Sequence, residues 1–191
     1  MPTYILIIFN LAVYGYTSIL SGNPIGTSEE VIYLYGQVNS LVLKGWYWQL
    51  FTAMFVHVSF VHILGNMFFL LIFGLRAEEF FAIHEYLAIY FISGLAGNLM
   101  TLLFGPSMVS AGASGAIFGL FGACVVYIGR RFGQSIFSAL IYSLFLLIIS
   151  SGQNVNYLAH LGGLVTGLLF GYTLARTRET TIVYNFSYLF P

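Results

Sequence analysis

Ser114 and His160 are the two residues whose types and placing can do chemistry together. Each lies near the start of a separate apolar run long enough to enter a bilayer, and the 191 residues include no aspartate. A serine hydroxyl is a poor nucleophile unless a base takes its proton and donors stabilise the oxyanion that forms. A Ser and a His at matching depth therefore imply acyl-transfer chemistry run by a dyad. Other hydrolytic designs fail by inventory. Without Asp there is no aspartyl dyad, and Lys44, the only lysine, falls in a loop rather than in an apolar run.

The stretch HVSFVHILGN, residues 57–66, opens another apolar run. On a continuous helix, at ~100° per residue, His62 and Asn66 lie roughly 40° apart and share a face, while His57 lies roughly 140° from His62. His62 and Asn66 can then donate into one site and His57 cannot. A zinc site needs ligands on one face with a third group, and usually a carboxylate base, and this spacing supplies neither. No metal or other cofactor is expected.

The elements that must position these groups follow from composition. Hydrophobic residues make up 59% of the chain and charged residues 6%, which reads as a polytopic membrane protein held in one domain. Net charge is zero with no basic block, so nucleic acid has no electrostatic foothold. Cys124 is a lone, mid-span thiol that reads as buried and structural. Six apolar spans are expected, at about 3–20, 58–75, 83–104, 114–129, 134–150 and 156–175, and backbone in hydrocarbon must be helical. The class is all-α, a six-helix membrane bundle over 1–179 with an outer loop at 21–57 and a tail at 180–191 of no assigned role.

Arg76, Arg130, Arg131, Arg176 and Arg178 share one side of this topology and Lys44 falls on the other, which puts both termini in the cytoplasm. Spans two, four and six then start at the outer leaflet, and the unusual polar groups converge on one level there. Glu78, Glu79, Glu85 and Glu179 lie on the cytoplasmic side, and Glu29 and Glu30 in the outer loop, so none reaches His160. In that loop Thr27 and Ser28 before Glu29 and Glu30 read as a helix start. Trp46, Tyr47 and Trp48 read as interfacial anchors.

GASG at 112–115 follows Gly105 and Pro106, which puts Ser114 at a helix N-terminus whose free amides favour negative charge. Small residues there also serve packing. Gly163, Gly167 and Gly171 recur at four-residue spacing just after His160, a surface for close approach by the fourth span.

Taken together, His57, His62 and Asn66, then Gly74 and Glu78, then Gly112, Ser114 and Gly115, then Ala159, His160, Gly163 and Gly167 resemble the ordered motifs of the rhomboid intramembrane serine proteases, over about Trp46 to Gly167. The resemblance implies Ser114 as nucleophile, His160 as general base, and an oxyanion hole of the Ser114 amide with the His62 and Asn66 side chains. It implies structural roles for His57 and for Glu78, the latter at the cytoplasmic end of the second span. It implies as substrates the transmembrane helices of other proteins, cut near the outer surface of the plasma membrane of a prokaryote, with the fifth span and loop 151–156 as a gate.

Two positions depart from the pattern. Many rhomboids carry Arg after Trp in the outer loop, where this chain has Gln49 after Trp48. The aromatic four residues past the nucleophile, often Tyr, is Phe118, which keeps the stacking surface. The alternatives are a catalytically silent relative that binds client helices, and a small transporter or channel. Silent relatives usually lack the serine or the histidine, and a transport pathway would need charges across the midplane.

Overall fold

The computed structural model describes residues 1–131, 141 and 155–187, with side chains up to 178. Four of its helices are long and apolar enough to cross a membrane: α1 (Pro2–Ser21), α5 (Phe60–Phe80), α6 (Ile83–Thr101, extended by a 3-10 turn to Phe104) and the first 22 residues of α8 (Tyr157–Ser187). The fourth expected span is α7 (Ser114–Arg131), which starts at the expected residue. Its 18 residues rise only ~27 Å, short of the ~30 Å hydrocarbon core. Apart from residue 141, the expected fifth span lies outside the described residues, as do residues 151–154 of the expected loop 151–156. α8 runs on to Ser187, into the stretch expected as the tail.

Local signals account for the helix ends. Pro2 occupies the first turn of α1, and Gly22, at φ 61°, closes it by donating to Ile19 O at 3.1 Å. Ser28 caps α2 (Glu29–Tyr35) by accepting from the Val31 amide, as its sequence predicts. Ser59 caps α5 in the same way, through the His62 amide at 3.2 Å. That cap corrects the helical-face expectation for His57, which precedes α5 and is not on the helix.

The connection from α2 to α5 holds β1 (Gln37–Val38) and two short helical turns, α3 (Asn39–Val42) and α4 (Gln49–Thr52). β1 pairs antiparallel with β2 (Val109–Ser110), so the all-α expectation misses a small two-stranded sheet. Two residues per strand carry no readable alternation. Neutral amides seat this connection on α6. Gln37 Nε2 donates to Asn98 O at 2.9 Å, Asn39 Nδ2 to Thr101 O at 2.8 Å, and Asn98 Nδ2 to Leu50 O at 2.7 Å. Gln49, fully buried, accepts from the Val38 amide at 2.9 Å and donates to Tyr33 O at 2.8 Å.

Among the described residues, α7 and α8 pack most extensively on each other, and α6 covers both. α7 and α8 run parallel with glycines facing backbone: a Cβ on Gly163 would strike the Gly115 carbonyl oxygen, one on Gly167 that of Gly119, and one on Gly171 that of Ala123. The spacing is four on both helices, so every rung stacks above the last. Contact this close removes side chains from the interface and leaves dispersion and Cα–H···O contacts as the attraction, which suits a solvent with no hydrophobic drive.

At the end of the bundle away from Ser114, Glu78 of α5 accepts from the Thr3 amide of α1 at 2.8 Å, and the Thr3 hydroxyl lies 3.1 Å from that of Tyr86. A Cβ at Gly74 would lie 2.7 Å from Thr3 and 2.8 Å from the Tyr86 hydroxyl. Arg178 of α8 pairs with Glu85 and donates to Tyr127.

Candidate active site

The approach to Ser114 is a turn held from two sides. Gly112 sits at φ 133°, where side chains are disfavoured, and its amide donates to Ala53 O at 2.8 Å. A Cβ at Gly112 would come within 2.8 Å of His62 Cε1 and 3.0 Å of Nε2, so this glycine is required both by its backbone and by the imidazole against it. Ile117 donates to Ala113 O at 3.1 Å, making Ala113 the cap of α7. The amides of Ser114, Gly115 and Ala116 thus have no carbonyl one turn back, and the helix N-terminus adds its positive potential beside the hydroxyl.

His160 lies in the first turn of α8, and its Nε2 is 2.8 Å from Ser114 Oγ. Its ring stacks on Phe118 with centroids 4.4 Å apart and an interplanar angle of 17°. The stack leaves the imidazole little room to turn. His62 presents its Nε2 edge to the Gly112 turn, and Asn66 Nδ2 donates to His62 O at 2.9 Å, which leaves one amide hydrogen for another acceptor. Ser114, His160, His62 and Asn66 all line one cavity of about 560 Å³. Its other walls are largely apolar, including Val61, Phe69 and Phe73. A hydroxyl, an imidazole in contact with it, and donors across a mostly apolar cavity form an arrangement suited to acyl transfer.

The remaining motif residues fall into support. Gly115, Gly163 and Gly167 form the ladder, Phe118 the stacking surface, and Glu78 the far-end tie to α1. His57 packs its ring edge-on to that of His62 at 5.2 Å and donates from Nδ1 to Phe55 O at 3.1 Å. Among the described residues, no group of three or more His, Cys, Asp or Glu side chains is placed to hold a metal ion.

Burial, reinforced by the neighbouring His62, pushes the His57 imidazole down to about 3 from an ordinary value near 6.5. The folded chain keeps His57 neutral where the unfolded chain takes up a proton. Its contribution to stability is therefore full above about pH 6.5 and is lost as pH falls towards about 3, with a slope of up to roughly 1.4 kcal/mol per pH unit. The melting temperature should drop on acidification from pH 7 to 4, and less steeply in His57→Asn, whose amide can still donate to Phe55 O. Parallel curves for the two proteins would contradict this account.

Sequence reading did not single out Asn156, Thr101 or Ser110, which join the start of α8 to α6 and β2. A cap-type residue at the predicted start of the sixth span was the available signal at Asn156.

Comparison with known proteins agrees with the motifs. The family model described as the Rhomboid domain matches residues 44–177. A putative rhomboid protease, YdcA of Bacillus subtilis (strain 168), is 33% identical over 146 residues, covering 72% of this chain and 72% of that protein. RHOMBOID-like protein 6, mitochondrial, of Arabidopsis thaliana is 38% identical over 133 residues, covering 66% of this chain and 43% of that protein. Rhomboid protease GluP of Bacillus subtilis is 31% identical over 175 residues, covering 86% of this chain but 33% of that protein. The chain thus spans less than half the length of the plant relative and about a third of GluP.

Proposed function

The chain belongs to the rhomboid family, an integral multi-pass membrane protein, and on that premise we propose that it is a serine endopeptidase that cuts transmembrane segments of other membrane proteins near the outer surface. The observation that carries this reading is the 2.8 Å contact between His160 Nε2 and Ser114 Oγ within the cavity. Ser114 Oγ attacks the scissile carbonyl carbon while its proton passes to His160 Nε2. The negative oxygen that results is met by the Ser114 amide, by Nε2–H of His62 and by the spare Asn66 hydrogen. His160 then protonates the departing amine, and the acyl ester on Ser114 is released by water, with His160 again taking the proton.

A substrate helix has its amides bonded within itself, so the segment to be cut must unwind first. Helix-weakening and small residues near the cut are favoured for that reason. The bias of the basic residues supports an orientation with both termini in the cytoplasm of a prokaryotic cell and the Ser114 end of the bundle facing outward.

Purified protein reconstituted with a tagged single-span substrate should yield two fragments whose masses place the cut near the outer end of the span. Ser114→Ala should yield none and still bind the substrate. An intact substrate with native protein that binds it would replace the protease reading with that of a client-binding relative.

A further inference from the structure

Asn156 directly precedes α8 and uses its side chain in two directions. Its Oδ1 accepts from the Ala159 amide at 3.0 Å, and its backbone oxygen accepts from the His160 amide at 3.2 Å. This is a helix cap, and Ser, Thr or Asp would serve it as well. Its Nδ2 donates outward, to Thr101 Oγ1 at 2.7 Å and to Ser110 Oγ at 2.8 Å. Among the side chains that cap well, only that of Asn also carries two hydrogens to give away.

Both receivers are fixed. Thr101 is fully buried, and its hydroxyl hydrogen is already committed to Gly97 O at 3.0 Å, so towards Asn156 it can only accept. Gly97 lies so near the Ala159 carbonyl that a Cβ would collide with it, which presses α6 against the turn that holds His160. Ser110 belongs to β2, whose chain runs through the Gly112 turn to Ser114. One primary amide therefore links the helix of His160 both to its neighbour α6 and to the strand that delivers Ser114.

The rungs of the glycine ladder start at Gly163, nearly one turn beyond His160, and in the first turn of α8 the close backbone contacts are those of the Ala159 carbonyl with Gly97 and Gly115. We propose that Asn156 is a positioning residue for the reaction, setting the depth and angle of His160 against Ser114 through its bonds to Thr101 and Ser110. The proposal rests on the protease reading above. It predicts that losing the outward bonds, with the cap kept, slows the chemistry without unfolding the chain.

Asn156→Ser keeps a capping oxygen and lacks the hydrogens. Thr101→Val leaves Asn156 in place and removes one receiver. Full-length protein in detergent is labelled with a fluorophosphonate, and each progress curve gives a rate constant and a final labelled fraction. The expected result for Asn156→Ser is a native labelled fraction reached roughly ten- to a hundredfold more slowly, the scale of a misplacement of about 1 Å. With a transmembrane substrate, kcat should fall by a similar factor at unchanged KM. Thr101→Val should slow labelling in the same sense, and the double variant should be little slower than Asn156→Ser alone.

A rate constant within twofold of native in Asn156→Ser overturns the proposal. So does a reduced labelled fraction at the native rate constant, which marks a folding defect alone. If Asn156→Ser does not fold, a native rate in Thr101→Val overturns it equally. Native protein that labels no better than Ser114→Ala would instead fail the protease reading and this proposal with it. Native labelling that is lost in Ser114→Ala but kept in Asn156→Ser fails the positioning role only.

Discussion

Ser114→Ala is expected to take up no fluorophosphonate at all, and His160→Ala to label roughly 10⁴-fold more slowly than the native chain, the scale at which single members of such catalytic units act. The reason lies in the 2.8 Å contact between Nε2 and Oγ. With the His160 imidazole gone, the hydroxyl loses the base in contact with it; the chain has no Asp, its glutamates at 78 and 85 are engaged with Thr3 and Arg178, and His62, the other imidazole on the cavity, is placed against the Gly112 turn as a donor. Fluorescence of the labelled band, read against melting curves for each variant, checks this without knowledge of the substrate. Native-rate labelling in a folded His160→Ala protein would remove His160 from the role of base.

Gly167→Val is expected to have the largest effect on folding. Its Cβ would lie against the Gly119 carbonyl oxygen, and that oxygen belongs to the backbone of a packed helix, so no side chain can move aside. The helices must part, which opens the neighbouring rungs as well. A loss of about 3 kcal/mol or more, at the upper end of overpacking costs, corresponds to a melting temperature lower by roughly 6–12 °C. Gly15→Val is the control, since a Cβ there meets nothing within 4 Å. Melting curves that shift equally in the two variants would mean that the ladder does not hold α7 to α8.

The parts of the fold that were legible in the sequence are those with a period or a local chemical signature. Apolar runs marked the long helices, Ser28 before two glutamates marked α2, and the glycine spacing marked the face of α8. The candidate dyad was legible for a related reason, since Ser114 and His160 each sit among small residues at a helix start. What stayed hidden depends on pairs far apart in sequence. Asn156 finds Thr101 and Ser110, Gln37 finds Asn98, and β1 finds β2, and none of these contacts leaves a repeating trace in either partner. His57 was placed on a helix face that does not exist, because the cap at Ser59 starts α5 three residues later.

Gln49 shows what such hidden pairing means for exchange between relatives. Its amide meets an N–H on one side, that of Val38, and a carbonyl on the other, that of Tyr33. A guanidinium can answer the carbonyl but has no lone pair for the N–H. Arginine at 49 would therefore be no reversion to a common pattern in this chain: it would leave Val38 orphaned and carry a cation into a fully buried place. The residue at 49 and the direction of the backbone at 38 form a single lock and key, and a loop transplanted from an arginine-bearing relative would have to bring both halves.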